Sequence, residues 1–150
     1  MKKIALTGAL GFLGSNLLRY MYSKYPEYDF HLIDKKTYAS GEEGFSDSNV
    51  RDLIDGRRVK MFQHDICDKD ALYDSLYLCD SVINMAAESH VGRAMVQAKK
   101  HLMSNDIGAT TVGEVASDYH MRMLQVSTDE VFGDLLVGSF KEDAPLKPRN

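Results

Sequence analysis

Short apolar runs in this chain are separated by longer amphipathic ones, the pattern of βαβ units around a parallel sheet. The short runs predict strands at Lys3–Thr7, Phe30–Asp34, Val59–His64, Ser81–Met85 and Met121–Val126. The longer ones predict helices at about Gly11–Lys24, Asp47–Asp55, Lys69–Leu76 and Met95–Tyr119. In the third of these, Asp68 stands as the cap, and Leu72 and Leu76 share one face. The last contains Gly108 and Gly113, each costing about 1 kcal/mol inside a helix. Its apolar positions Leu102, Ala109, Val112 and Ala116 still fit a single face. One of the two glycines would let that helix approach the sheet or a ligand closely. Tyr38–Asn49, rich in Ser, Gly and acidic residues, reads as a surface loop, and Gly138–Asn150, with Pro145 and Pro148, as another loop.

The 150 residues suit one domain with a core of its own, and 44% apolar with 27% charged residues is ordinary for a globular protein. A formal charge of −4 with no basic face argues against nucleic-acid binding. No apolar run approaches the roughly 20 residues that span a bilayer. The chain enters its first strand at Lys3 and Ile4, which leaves no room for a signal peptide, so a cytoplasmic location is expected. Cys67 and Cys79 fit neither a disulfide framework nor a zinc pattern. Together with His64 and His90 they fall in different predicted elements, and no metal site is expected.

Candidate chemistry begins after the first strand, in TGALGFLGSN. Gly8, Gly11 and Gly14 give the spacing G-x-x-G-x-x-G, a variant of the dinucleotide fingerprint. The amides that open the following helix would face a pyrophosphate. A P-loop is excluded, because no Gly-Lys-Ser/Thr follows. Asp34 lies twenty residues beyond Gly14, where an acid bonds the ribose hydroxyls of NAD; the alternative is a strand-end turn residue. Lys35 and Lys36 could accept a 2′-phosphate, but Asp34 would repel it, which favours NAD over NADP. Asp65 and Ile66, in HDICD, could meet an adenine, or Asp65 could cap the next helix. Finally, QVSTDEVFGD places Ser127, Thr128, Asp129 and Glu130 just after the fifth predicted strand. Hydroxyls beside paired carboxylates suit proton transfer, or form a polar turn with a helix cap.

The segments TGALGFLGSN, LIDKKTYAS, HDICD, INMAAESHVGR, SNDIGAT, QVSTDEVFGD and EDAPLKPRN occur in an order that resembles the extended short-chain dehydrogenase/reductase family. Within it they look most like the dTDP-glucose 4,6-dehydratases, since AAESHV followed by STDEV is more specific than the glycine turn. The resemblance extends over essentially all 150 residues. It implies an α/β, Rossmann-like doubly wound parallel sheet of about five strands in order 3-2-1-4-5, stopping short of the remaining strands and of a substrate domain. It also implies NAD as cofactor and a nucleotide sugar, dTDP-glucose or similar, as substrate.

By the same resemblance, Phe12 and Leu13 lie against the pyrophosphate, Asp34, Lys35, Lys36 and Thr37 hold the adenosine ribose, and Asp65 with Ile66 holds the adenine. Ala86, Ala87 and Glu88 line the nicotinamide side, and Ser104 replaces a cofactor-contacting threonine while keeping its hydroxyl. Ser89 and His90 lead into the substrate pocket. Thr128 bonds the sugar, Asp129 is the general acid and Glu130 the general base. Phe132 stands where the family has tyrosine, and Gly92 where it has aspartate. The family's oxidation also uses a Y-x-x-x-K pair on the helix after the fifth strand. Tyr73–Tyr77, Tyr20–Lys24 and Tyr25 offer no substitute, so this chain alone is expected not to complete the reaction. A homodimer or a complementary carboxyl-terminal chain is the partner this implies. Two other readings are a catalytically silent NAD-binding module and a sugar-nucleotide epimerase or decarboxylase; STDEV argues against the latter.

Overall fold

A computed structural model describes residues 2–37, 50–54 and 56–149. Five strands form one wholly parallel sheet: β1 (Lys2–Thr7), β2 (Tyr28–Ile33), β3 (Val59–Phe62), β4 (Ser81–Asn84) and β5 (Arg122–Gln125). Their order is β3-β2-β1-β4-β5, so the chain runs outward from β1 to β3, crosses back to the other side of β1 and proceeds outward through β4 to β5. This is the doubly wound order expected from the sequence, and it places a switch point between β1 and β4.

Side chains alternate across the sheet and build two cores. Ile4 and Leu6 of β1 join Leu18 and Met21 of α1 (Phe12–Lys24), with Phe30, Leu32 and Val59, on one face. Ala5, Ile33 and Val82 face the other way, against Leu72 and Leu76 of α2 (Lys69–Leu76) and Val112, Val115 and Ala116 of α5 (Ala109–Asp118). Strands buried on both faces must read as continuous apolar runs, which is why they were legible. Asp68 caps α2 as expected, accepting from the Ala71 N–H at 3.1 Å.

Two helix predictions fail. Residues 47–49 and 55 lie outside the described residues, as does the loop expected at 38–49, and 50–54 form successive turns rather than a helix. The single helix expected over Met95–Tyr119 is two helices joined by a π turn. A short helix, α3 (Val91–Ala94), precedes them, capped by the His90 ring. The chain then leaves helical geometry at Gln97 (φ −133°, ψ 43°) and resumes as α4 (Ala98–Leu102). A π-helical turn, Met103–Gly108, joins α4 to α5. That turn contains more residues than an α turn and shifts the phase of the apolar stripe. Leu102 therefore stands 62% exposed, although an unbroken helix would place it with buried Val112 and Ala116.

Candidate functional site

The carboxyl ends of β1, β2 and β4 open onto a cleft of about 510 Å³, counting space open to solvent. Its floor is the glycine turn. Gly8 has φ +63°, a left-handed conformation, and its amide donates to the Ile33 carbonyl at 2.9 Å. A Cβ there would lie 2.8 Å from the Ala86 backbone, so glycine lets the turn after β1 nest against the segment after β4. At Gly14 a Cβ would come within 2.7 Å of the Ala9 Cα and closer still to the Gly8 carbonyl oxygen, so the third glycine lets α1 press onto the turn. Gly11 begins α1 without a capping side chain, and the first helical turn has no acid. Its amides therefore meet a ligand's anion without a competing carboxylate.

On the β2 and β3 side, Asp34, Lys35, Thr37 and Ile66 line the cleft. Both Asp34 carboxylate oxygens accept backbone N–H bonds, from Leu10 at 3.1 Å and Lys36 at 2.8 Å. These two bonds fix the orientation of the carboxylate at the cleft. Lys36 pays for this turn (φ +58°) with a left-handed conformation. Asp65 is not among the lining residues, though it bonds Lys35, which is. Burial pushes its carboxyl up, but the Cys67 N–H at 3.0 Å and the Lys35 ammonium at 3.4 Å prevail and hold it below the usual range. It closes a turn onto Cys67, and Asp68 is the cap of the next helix.

On the β4 side, Ala86, Ala87, Glu88 and Ser104 complete the wall. The wall begins on a buried polar relay: the Thr7 hydroxyl donates to the Asn84 side chain and accepts from the amides of Met85 (3.1 Å) and Ala86 (3.2 Å). Asn84 in turn donates to Gln125 at 2.7 Å, tying β4 to β5. Sequence reasoning missed Thr7 and Asn84, which hold the wall from beneath, and three lining residues, Ile33, His64 and Met85. The one available signal was Asn84, a polar residue inside an apolar strand, which must find partners when buried.

Phe12, Leu13 and Lys36 lie outside the lining, with Phe12 80% and Leu13 59% exposed. Ser89 and His90 also fall beyond it. Thr128, Asp129 and Glu130 follow β5, at the neighbouring strand end, with Asp129–Phe132 in a 3₁₀ turn. Thr128 Oγ1 accepts from the Glu130 N–H at 3.3 Å and lies 3.3 Å from an Asp129 carboxylate oxygen. This cluster is thus both a capped polar turn and a pair of exposed carboxylates. The Tyr20–Lys24 pair is bonded to itself at the far end of α1, roughly 15–20 Å from the glycine turn along a helix rising 1.5 Å per residue. Among the described residues no group of three or more His, Cys, Asp or Glu could hold a metal ion, and no helix is long and apolar enough to cross a membrane. The residues present fit a dinucleotide: a close-packed glycine floor, uncapped amides and an oriented acid.

The family model described as GDP-mannose 4,6 dehydratase matches residues 6–150. The low-salt glycan biosynthesis protein of Haloferax volcanii is 35% identical over 148 residues, covering 98% of this chain and 46% of its own length. The dTDP-glucose 4,6-dehydratase of Haemophilus influenzae is 34% identical, covering 99% of this chain and 46% of its own. Among solved structures, dTDP-glucose 4,6-dehydratase from Bacillus anthracis in complex with NAD superposes with a TM-score of 0.85 at 30% identity, over 100% of this chain and 45% of that one. The chain thus spans less than half the length of the relatives it matches.

Proposed function

The chain belongs to the GDP-mannose 4,6 dehydratase family, and on that premise we propose that it is the NAD-binding part of a nucleotide-sugar 4,6-dehydratase. The observation that carries the proposal is one of placement. A cleft floored by the glycine turn crosses the switch point of the sheet, and the Thr128–Glu130 cluster follows the strand next to it. The family relatives named dTDP-glucose 4,6-dehydratase, one of them crystallised with NAD, support the same reading.

In this proposal Gly8, Gly11 and Gly14 bring the opening of α1 to the pyrophosphate, flanked by Phe12 and Leu13. Asp34, Lys35, Lys36 and Thr37 hold the adenosine ribose, Asp65 and Ile66 the adenine, and Ala86, Ala87, Glu88 and Ser104 the nicotinamide side. NAD, when bound, accepts and returns the hydride that lets a sugar hydroxyl become a ketone. Glu130 removes the proton made acidic beside that ketone, and Asp129 protonates the departing 6-hydroxyl. Thr128 bonds the sugar, with Ser89 and His90 at the approach. Each positioned acid or base contributes about 10²–10⁴-fold.

NAD titration by calorimetry tests the first half: the wild-type chain binds NAD and Asp34→Ala binds it at least tenfold more weakly, about the worth of one charge-assisted hydrogen bond. The second half is tested by 4-keto sugar formation from dTDP-glucose, read by absorbance in alkali, in an assembly that also supplies the family's tyrosine and lysine. There Glu130→Gln lowers turnover about 10²-fold or more with NAD affinity unchanged. NAD binding with no product in any such assembly would leave a silent NAD-binding module as the correct reading.

A further inference from the structure

The cleft wall after β4 is held at its start by Thr7, and a second side chain holds its end. Asn105, in the π turn, makes two bonds to the backbone of one residue of the wall. Its Oδ1 accepts from the Glu88 N–H at 2.8 Å, and its Nδ2 donates to the Glu88 carbonyl at 2.9 Å. Both polar groups of the Glu88 backbone are thereby satisfied by one amide, as a neighbouring strand would satisfy them. Resting on the NAD reading above, we infer that Asn105 is a positioning residue that fixes the nicotinamide-side wall, Ala86–Glu88, through the backbone of Glu88.

The π turn makes this possible. Ser104 is 3% exposed and lines the cleft, while Asn105, the next residue, reaches Glu88. Consecutive residues of an α-helix point about 100° apart. The wider π turn lowers that angle, so two neighbours can serve one site; π turns recur at functional sites for such reasons. Gly108 closes the turn against Ile66, where a Cβ would lie 2.6 Å from the Ile66 side chain. One irregular turn therefore touches both ends of the cleft: Ile66 on the β3 side and Glu88 on the β4 side. The Asn105 bonds act on the second end only.

That asymmetry supplies the test. NAD occupies both halves of the cleft, whereas ADP reaches only the half formed after β1, β2 and β3. Calorimetric titration of Asn105→Ala is expected to show NAD binding weakened about tenfold, the size of one or two net hydrogen bonds, with ADP binding within twofold of wild type. Amide exchange followed by NMR gives the second readout. Glu88 loses at least tenfold protection in Asn105→Ala and keeps it in Asn105→Asp, whose carboxylate can still accept from the Glu88 N–H. Equal losses for NAD and ADP, or a Glu88 amide unchanged in Asn105→Ala, would overturn the inference. If the wild-type chain binds ADP but not NAD, the NAD reading itself falls and with it the role of the wall. The Glu88 exchange rates still decide whether the clamp exists.

Discussion

Gly14 offers the sharpest test of how the glycine turn is built. A methyl group there would lie 2.7 Å from Ala9 Cα, 2.9 Å from Ala9 C and nearer still to the Gly8 carbonyl oxygen, whereas ordinary contact begins at 3.4 Å. All three are backbone atoms, so no side chain can swing aside, and the start of α1 must recede by roughly 1 Å. Overpacking of this kind costs about 1–3 kcal/mol. Alanine's better helix propensity returns less than about 1 kcal/mol so near the helix start. A net loss of about 2 kcal/mol corresponds to a melting temperature roughly 4–8 °C lower for a domain of this size. The same recession draws the α1 amides away from the anion they would hold, so NAD affinity falls at least tenfold, about the worth of one charge-assisted hydrogen bond.

Gly113→Ala is the matched control. Its added Cβ would meet only Met123 Sδ, at 3.9 Å, in the middle of α5. That variant gains about 0.5–1 kcal/mol and melts roughly 1–4 °C higher, with NAD affinity unchanged. Thermal unfolding and calorimetry of both variants make the comparison. A Gly14→Ala protein as stable as wild type, with wild-type NAD affinity, would refute the reasoning about close approach.

Thr7→Val removes the acceptor shared by the Met85 and Ala86 amides and should cost about 2–6 kcal/mol by urea unfolding, at about 1–3 kcal/mol per stranded group, while Thr7→Ser retains most of the stability. Gly108→Ala is destabilising through the Ile66 side chain, and Ile66→Val relieves part of it; the double variant is therefore more stable than the two single losses predict, by about 0.5 kcal/mol or more. Burial holds the His31 imidazole below its ordinary value of 6.5, over the opposing pull of the Ser75 carbonyl 2.7 Å from Nδ1. The unfolded chain thus takes up this proton at higher pH than the folded one. The His31 contribution is full above about pH 6.5 and declines as pH falls toward the lower folded value. Urea unfolding across that window should show a slope that His31→Gln flattens; the stability gained from Asp65, whose carboxyl is held low, is lost only below 3.8.

The sheet was readable because each strand is a short, bounded run, and because the two cores demand apolar residues that are buried on both faces of β1 and β2. The cleft floor and its β2 side were readable for a different reason: Gly8, Gly14 and Asp34 act through local backbone geometry, which leaves a fixed spacing in sequence. Thr7, Asn84 and Asn105 left no such spacing. Thr7 reaches Asn84 across 77 positions and Asn105 reaches Glu88 across 17, so their partners exist only once the chain is folded. The broken helix at Met95–Tyr119 was hidden by the opposite effect. Its apolar residues satisfy a 3.6-residue period on paper, and periodicity cannot register the phase change that the π turn introduces.

The two ends of the site are built with unequal strength. The β1–β2–β3 side stands on Leu6, Phe30, Leu32 and Val59, all fully buried, so its turns sit on a packed core. Every residue of β5, by contrast, is exposed, and the 3₁₀ turn with Asp129 and Glu130 is held from its far side by the returning chain. Lys147 donates to the Val131 carbonyl at 2.9 Å, and Phe140 stacks on Phe132 with centroids 5.2 Å apart. Gly133, at φ +81°, lies where a Cβ would strike the Lys147 carbonyl oxygen. Segments with few buried apolar contacts open at lower free energy than the core they flank. Changes in residues 140–149 therefore disturb the placement of the two carboxylates first, while the cleft, resting on the sheet, is left standing.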